Sequence, residues 1–563
     1  NIPLATWDIN STCRITGLTR TKPSPPGNLN QTFGNFEWNS PGMGNSTGFS
    51  LGGALQTVTG NLTVVASGGT TVRLGNGGPG SNLAVGGNLN IQGGSLTLGQ
   101  GHTTTSTVTV SGDLVITGGS LTISHANNSA VNLRLNGNFI KTGGNILQGS
   151  GAGAGTVRFD GAVQTYSNNA NITTAVGFAV ESGSTLNLGT TFLTGTGAFT
   201  LMAGGVINVG STDAGGAIQL GTAGGNIRMS GTRTYQTGST IVYNGLAAQF
   251  MGTGHGAGAN TIINNSNGVT LVSNVAINGD LIVNAPLNTQ TFTVSFGGGS
   301  KTISGTNSVV FYDMAVNQTA STFLTLATNV DIVNSLDINT LTTIVAGNQQ
   351  LRLLSSPTQT ANVYALAAGA SITGTVVVQR YLPKAIVRTN FFHLSSPVEN
   401  SSMVDWDNEI PMTRAYRYDE PTREYIQIPL NSPPPSGQGF TIMVEGPGIL
   451  MDSRGTLGQG IVPVNLTAQT SPVSGPDGWN LIGNPYPSAI DWDNVALPPG
   501  VYNAVYVWDN FGNSGQGTAT DQIVSYVDDV GTPAGYGGEI AQGQGFWVKA
   551  TGNATLTFTE AAK

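Results

Sequence analysis

The tetrapeptide Asp-Trp-Asp-Asn occurs twice, at residues 405–408 and 491–494. In an extended backbone the two aspartates of each copy share one face and the tryptophan takes the other. Asp405, Asp407, Asp491 and Asp493 are therefore candidate oxygen ligands for Ca2+, the one cofactor the sequence suggests. Calcium takes about six to eight oxygens, so two carboxylates fall short of a site. The competing expectation is a tryptophan anchored in a core beside a carboxylate-stabilised turn.

A second chemistry is offered by aromatic side chains, which crowd the C-terminal third. Trp479, Trp492 and Trp547 lie in phrases that occur twice in related form, and are expected in a core. Trp508, Phe511, Tyr526 and Tyr536 lie in or near an extra polar stretch, and are the candidate ligand-binding residues of a sugar-stacking surface.

Catalysis has weaker support. Enzymes that cleave polysaccharides on a β-helix need clustered carboxylates or cations on one outer face. Here Asp113, Arg134, Lys141, Arg158, Asp160, Glu181, Arg228 and Arg233 are scattered singly. Arg158 and Asp160 share a face of one strand, the expectation being a surface ion pair of little energetic weight. Gly44–Gly48 and Gly48–Gly52 fit G-x-S-x-G literally, but a nucleophile elbow needs a strand–turn–helix context that is not foreseen there. Gly297–Thr302 (GGGSKT) lacks the glycine before the lysine and the following helix of a phosphate loop, and is expected to be a turn between strands. The four histidines, His102, His125, His255 and His393, stand apart, and the single Cys13 is expected to be a buried small hydrophobe.

The elements that must position these groups announce themselves as a repeat. Gly87, Gly112 and Gly137 follow one another at 25 residues, with Gly60 a further 27 upstream. Each unit, such as VSGDLVITGGSLTIS, reads as a short alternating strand, a Gly-Gly turn and a second short strand. A fixed period in this range made of strands alone indicates a β-solenoid. The 563 residues include 82 glycines, and only 9% are charged, against an average of about 25%. Regular alternation of Val, Leu and Ile with Thr, Ser and Asn still supplies a core. No apolar run is long enough for a transmembrane segment, and a net charge of −8 without a basic patch disfavours nucleic acid as a partner.

The expected order is an N-terminal cap over 1–44, bearing Trp7, Phe33, Phe36 and Trp38, then a β-solenoid over 45–375. At the strand spacing, the latter amounts to roughly 13 coils and a rod about 60 Å long. Residues 45–370 hold eight acidic and eight basic residues, whereas 371–563 hold 18 and nine. Residues 376–563 therefore form a separate acidic domain. It is duplicated: FFHLSSPVENSSMVDWDN answers GWNLIGNPYPSAIDWDN, and PSGQGFTIMV answers AQGQGFWVKA. The halves fall at about 381–468 and 469–563. The DWDN copies lie 86 residues apart and the GQGF copies 106, so the second half carries an insertion of about 20 residues, NFGNSGQGTATDQIVSYVDDVG. The fold class is all-β: a parallel β-helix or β-solenoid followed by a duplicated β-sandwich-like domain.

The phrases GWNLIGNPYPSAIDWDN and GQGFWVKA resemble the region before the sorting domain of surface proteins exported by the Bacteroidota-type type IX secretion route. ITGLTRTKPSPPGNLNQTFGNFEWN and TVSGDLVITGGSL resemble other parts of the same proteins. The resemblance implies an adhesin-like protein, secreted to the extracellular or outer-membrane surface. It also implies the type IX machinery as a partner in export, and a sorting domain after TLTFTEAAK that is cleaved or lies beyond this chain. A start at Asn1 fits a processed chain. The functional expectation is a non-catalytic adhesin or structural protein whose solenoid stalk presents the acidic domain to extracellular glycans or proteins. The alternatives are a polysaccharide-active β-helix enzyme and a self-associating filament subunit.

Overall fold

The computed structural model describes residues 1–19, 25–44, 48–125, 130–149, 153–382, 391–403, 414–429, 431–443, 449–469, 477–509 and 522–563. Among them no α-helix occurs; two three-residue 3-10 turns, Trp492–Asn494 and Glu560–Ala562, are the helical pieces present. By packing, the chain divides into two compact units, Asn1–Leu287 and Asn288–Lys563.

The first unit is a parallel β-solenoid. Leu89 pairs with Leu114, and Leu114 with Phe139, so the 25-residue period is the coil length. Each coil in this stretch has three strands rather than the two expected: Ser106–Val110, Leu114–Ile116 and Ser120–His125 are one turn, each in its own sheet. The extra strand hides in the sequence because a Ser-Gly corner splits a continuous alternating run. Inward rows are fully buried, as at Leu89, Ile91, Leu114, Ile116 and Phe139. The aromatic segment near the N-terminus enters the same stack, with Thr12–Thr16 paired to Asn35–Asn39 and the latter to Leu62–Ala66. Phe33, Phe36, Trp38 and Cys13 are all buried there.

The marker glycines have a physical cause. Asn61, Asn88, Asp113 and Asn138 form a side-chain ladder along the stack. The Asn88 N–H donates to Asn61 Oδ1 at 2.8 Å, Asp113 N–H to Asn88 Oδ1 at 2.8 Å, and Asn138 N–H to Asp113 Oδ1 at 2.6 Å. The glycine before each rung lies against the rung below. A Cβ on Gly87 would come within 2.4 Å of Asn61 Oδ1, and one on Gly112 within 2.3 Å of Asn88 Oδ1. The repeated Gly-Asn/Asp phrase thus keeps a polar ladder satisfied at a corner where strand hydrogen bonds stop.

The second unit opens with coils of the same kind. Lys301–Ser304, Thr322–Leu326, Thr342–Val345 and Ser371–Thr373 pair in parallel. Val309–Gln318, Val330–Ile338, Leu351–Leu353 and Val376–Leu382 form a second parallel series. The GGGSKT stretch is the turn between Thr293–Gly298 and Lys301–Ser304. Pairing changes sense at Val376–Leu382, which is parallel to Leu351–Leu353 on one edge and antiparallel to Ile449–Leu457 on the other. The last coil is closed by side chains from beyond this strand. Ile372 N–H donates to Gln459 Oε1 and Gln459 Nε2 to Ile372 O, both at 2.9 Å. Glu560 accepts from Leu366 N–H at 2.9 Å and Gly460 N–H at 2.6 Å. An open strand edge is thereby covered.

The duplicated region follows as two antiparallel sheets of matching topology. The first runs Phe391–Leu394, Phe440–Met443, Ala415–Asp419, Glu424–Ile428; the second runs Trp479–Gly483, Gly545–Lys549, Ala504–Asp509, Gln522–Val527 and adds Val530–Thr532. The register repeats as well, since Leu394 pairs with Phe440 as Ile482 pairs with Phe546.

Candidate functional site: an aromatic cleft between the repeated sheets

The two halves cross-link reciprocally through their GQGF phrases. Gln544 bridges to Leu394, and Gln438 to Ile482. Ser395 N–H donates to Gly543 O at 2.9 Å, and its counterpart Gly483 N–H to Gly437 O at 2.8 Å. The first glycine of each phrase has positive φ, +75° at Gly437 and +63° at Gly543. The second admits the partner half's backbone: a Cβ on Gly439 would lie 2.4 Å from Ile482 O, and one on Gly545 2.8 Å from Leu394 O. The phrase is repeated because each copy holds the other half.

Two-residue alternation then sorts each sheet into a core face and an aromatic face. Phe392, Leu394, Ala415, Phe440 and Ile442 belong to one apolar cluster, and Ile482, Val505, Phe546 and Val548 to the other. The neighbouring positions carry Phe391, His393, Tyr416 and Tyr418 on the first sheet and Trp508 and Trp547 on the second. These faces meet: the Tyr418 and Trp547 ring centroids are 4.9 Å apart, His393 and Trp508 5.7 Å, and His393 and Trp547 5.9 Å. Beyond the contact they enclose a cleft of about 590 Å³, lined by Phe391, His393, Tyr416, Tyr425, Trp508 and Trp547 together with Thr441 and Ile523. That volume suits a small-molecule or oligosaccharide site.

Among the described residues, two enclosed polar atoms of the cleft have no hydrogen-bond partner, His393 Nδ1 and Trp508 Nε1. His393 is 8% exposed, and burial pushes its pKa down to about 4. Its imidazole is therefore neutral at physiological pH. Buried polar groups are nearly always satisfied, so an enclosed pair at a cleft wall marks where ligand or water bonds belong.

The anticipated ligand-binding residues separate in space. Trp508 lines the cleft. Tyr526 is buried, donates its hydroxyl to Asp493 Oδ2 at 2.8 Å, and packs edge-on to Tyr536 at 6.3 Å. Tyr536 donates its hydroxyl to Glu539 O at 2.9 Å, and Phe511 lies outside the described residues. Trp547, expected in a core, faces the cleft, whereas Trp492 is 1% exposed. Phe391, His393, Tyr416 and Tyr425 were not singled out from the sequence. Their common parity, opposite to that of the core positions, is the signal that carried them.

The second DWDN copy is a turn. Asp491 caps the 3-10 turn by accepting from Asp493 N–H at 3.0 Å, Asn494 Nδ2 donates to Asp491 Oδ2 at 3.2 Å, and Trp492 Nε1 donates to Asn503 Oδ1 at 3.0 Å. Asp405 and Asp407 lie outside the described residues. Among the described residues no group of three His, Cys, Asp or Glu side chains gathers as a metal site would.

The solenoid charges are taken up between coils. Arg158 pairs with Glu181 and Asp160 with Arg134, each at 2.5 Å, instead of Arg158 with Asp160. Pairing across the stack wins because Arg158 sits directly beside Arg134 in register, so each guanidinium turns to a carboxylate on another coil. Asp113 is a rung of the ladder. Arg228 pairs with Asp213 at 3.1 Å and covers the Phe192 ring, and Arg233 donates to the Met229 and Gly221 carbonyls. Lys141 is 3% exposed and takes the inward position held by Ile116 one coil earlier. Of the two literal G-x-S-x-G stretches, Gly44–Gly48 falls largely on 45–47, outside the described residues, and Gly48–Gly52 holds the short strand Phe49–Ser50, where Ser50 Oγ accepts from Gly52 N–H at 3.0 Å.

Fold and cleft together define a parallel β-solenoid protein carrying a duplicated antiparallel β-domain. A family model described as a domain of unknown function, DUF8693, matches residues 278–563, half of the chain, and the chain belongs to that family. No curated protein and no solved structure matches it.

Proposed function

We propose that the protein is a secreted, adhesin-like surface protein that binds extracellular glycans in the aromatic cleft, with the solenoid as a non-catalytic scaffold. The carrying observation is the cleft itself: indole, phenol and imidazole rings in edge-on and tilted contact around two polar atoms that have no partner among the described residues. Sugars present C–H faces to aromatic rings and hydroxyls to such polar atoms, and a few placed polar groups in an aromatic wall are what a sugar site needs. A neutral His393 can accept a hydroxyl proton at Nδ1, while Trp508 Nε1 donates. Export by the type IX route and residence at the cell surface are supported by the low charge, the Thr/Asn/Gly-rich strands and the duplicated phrases. The solenoid carboxylates named above are each held by a structural partner, which favours binding over polysaccharide cleavage.

A glycan array probed with the full chain tests this. We expect retention of a defined set of oligosaccharides, with Trp508→Ala and Trp547→Ala each weakening it at least about tenfold, since stacking by one aromatic is worth about 1–3 kcal/mol. Release of reducing or unsaturated sugar ends from the retained glycans overturns the non-catalytic reading. Absence of any retention overturns the binding one.

A further inference from the structure

A second cavity, of about 560 Å³, lies within the same unit and shares no lining residue with the aromatic cleft. Its walls include Asn362 and Tyr364, Arg380 from the strand Val376–Leu382, Ser488, Gln542 and Lys563. Among the described residues, none lining it is acidic.

Arg380 Nη2 donates to Gln544 Oε1 at 2.7 Å, while Nη1 is enclosed and has no partner among the described residues. Burial lowers the Arg380 pKa to about 10. Lys563, with a side chain 2% exposed, lies 2.7 Å from Glu560 Oε2. Glu560 is already committed to two backbone N–H groups and to that lysine. Glu560 thus serves Lys563, and among the described residues no carboxylate pairs with Arg380. Ser488 Oγ and Gln542 Oε1 also lack partners, and both residues are 5% exposed. The Gln542 amide is oriented by its Nε2, which donates to Gln379 O at 2.9 Å, leaving Oε1 as an acceptor.

We propose that this cavity binds a carboxylate that carries hydroxyl groups, a sugar acid of the uronate class, with the carboxylate on Arg380 Nη1 and a hydroxyl donating to Gln542 Oε1. The guanidinium Nη1 donates charge-assisted hydrogen bonds to a carboxylate, and an enclosed, unneutralised cation is costly until an anion arrives. A free sugar acid and a uronate within a polysaccharide offer the same chemistry.

Calorimetric titration of the full chain with glucuronate, oligogalacturonate, glucose and acetate tests the assignment. Glucuronate is expected to bind at least about tenfold more tightly than glucose or acetate, because one charge-assisted hydrogen bond to the guanidinium is gained over the first and the hydroxyl contacts over the second. Arg380→Gln should weaken glucuronate at least about tenfold, and Gln542→Leu should weaken glucuronate but not acetate. Trp547 lines the aromatic cleft but not the cavity at Arg380, so Trp547→Ala should leave glucuronate unchanged, which separates this site from the cleft. Tighter binding of oligogalacturonate than of glucuronate assigns the site to polysaccharide, and the reverse to the free acid. Equal affinity for glucose and glucuronate, or no binding of glucuronate at millimolar concentration, overturns the proposal. If Arg380→Gln does not fold by circular dichroism, Gln542→Leu decides alone: it must weaken glucuronate, and unchanged affinity overturns the proposal.

Discussion

His255 and His393 are two side chains whose protonation the fold resists. Tyr243 Oη lies 3.0 Å from His255 Nδ1, and Thr261 Oγ1 lies 2.9 Å from Nε2. Burial lowers the pKa of each histidine from 6.5 to about 4. In the unfolded chain both take up protons as pH falls below about 6.5. The folded chain refuses them until about pH 4, so stability is full above 6.5 and declines through that window. Thermal melts between pH 7.5 and 4.5 should show a falling midpoint, and His393→Phe should flatten the slope. Each unit of depression corresponds to about 1.4 kcal/mol. In the second unit, Glu560→Ala would leave Lys563 buried without its carboxylate and free two backbone N–H groups. We expect a loss of about 3 kcal/mol in denaturant titration, the scale for breaking a buried pair.

At the scale of the element, the ladder corner is the weakest place to add an atom. Gly112→Ala forces a Cβ against Asn88 Oδ1 and the Gly87 backbone. The expected cost is about 1–3 kcal/mol from overpacking, with an altered denaturant midpoint as readout. Gly299→Ala, where a Cβ meets open space, should cost far less. The coil length was legible in the sequence because a stack converts a fixed spacing into a physical neighbour: residue 89 touches 114, and 114 touches 139. The GQGF duplication was legible for the related reason that the two copies perform one task on each other. The third strand of each coil was not, since nothing in an alternating run marks where it bends. Nor was the cleft. Phe391, Tyr416, Trp508 and Trp547 are joined by no period, and they meet only because two sheets turn the same parity toward each other. The insertion attracted attention to Tyr526 and Tyr536, whose hydroxyls are spent on Asp493 and Glu539.

At the scale of the whole molecule, the chain has two electrostatic characters. Residues 45–370 are balanced, while 371–563 carry nearly all the excess acid. Turbidity should therefore be greatest near the isoelectric point of about 4.9, where repulsion between copies is least. Salt should matter little to the stability of the first unit, whose few charges pair at close range between coils. The strand Val376–Leu382 has a further consequence, for a protein held at one place and pulled at another. Val376 pairs with Gly455 and Leu382 with Ile449, so tension between the solenoid coils and the chain after Leu457 enters this ladder at a single end. It would open like a zipper, one bond at a time. The two side-chain clamps, Gln459 on Ile372 and Glu560 on Leu366 and Gly460, stand at that very end. They are the latch that meets the load first, and Gln459→Ala should lower the rupture force in single-molecule extension while leaving the aromatic cleft intact.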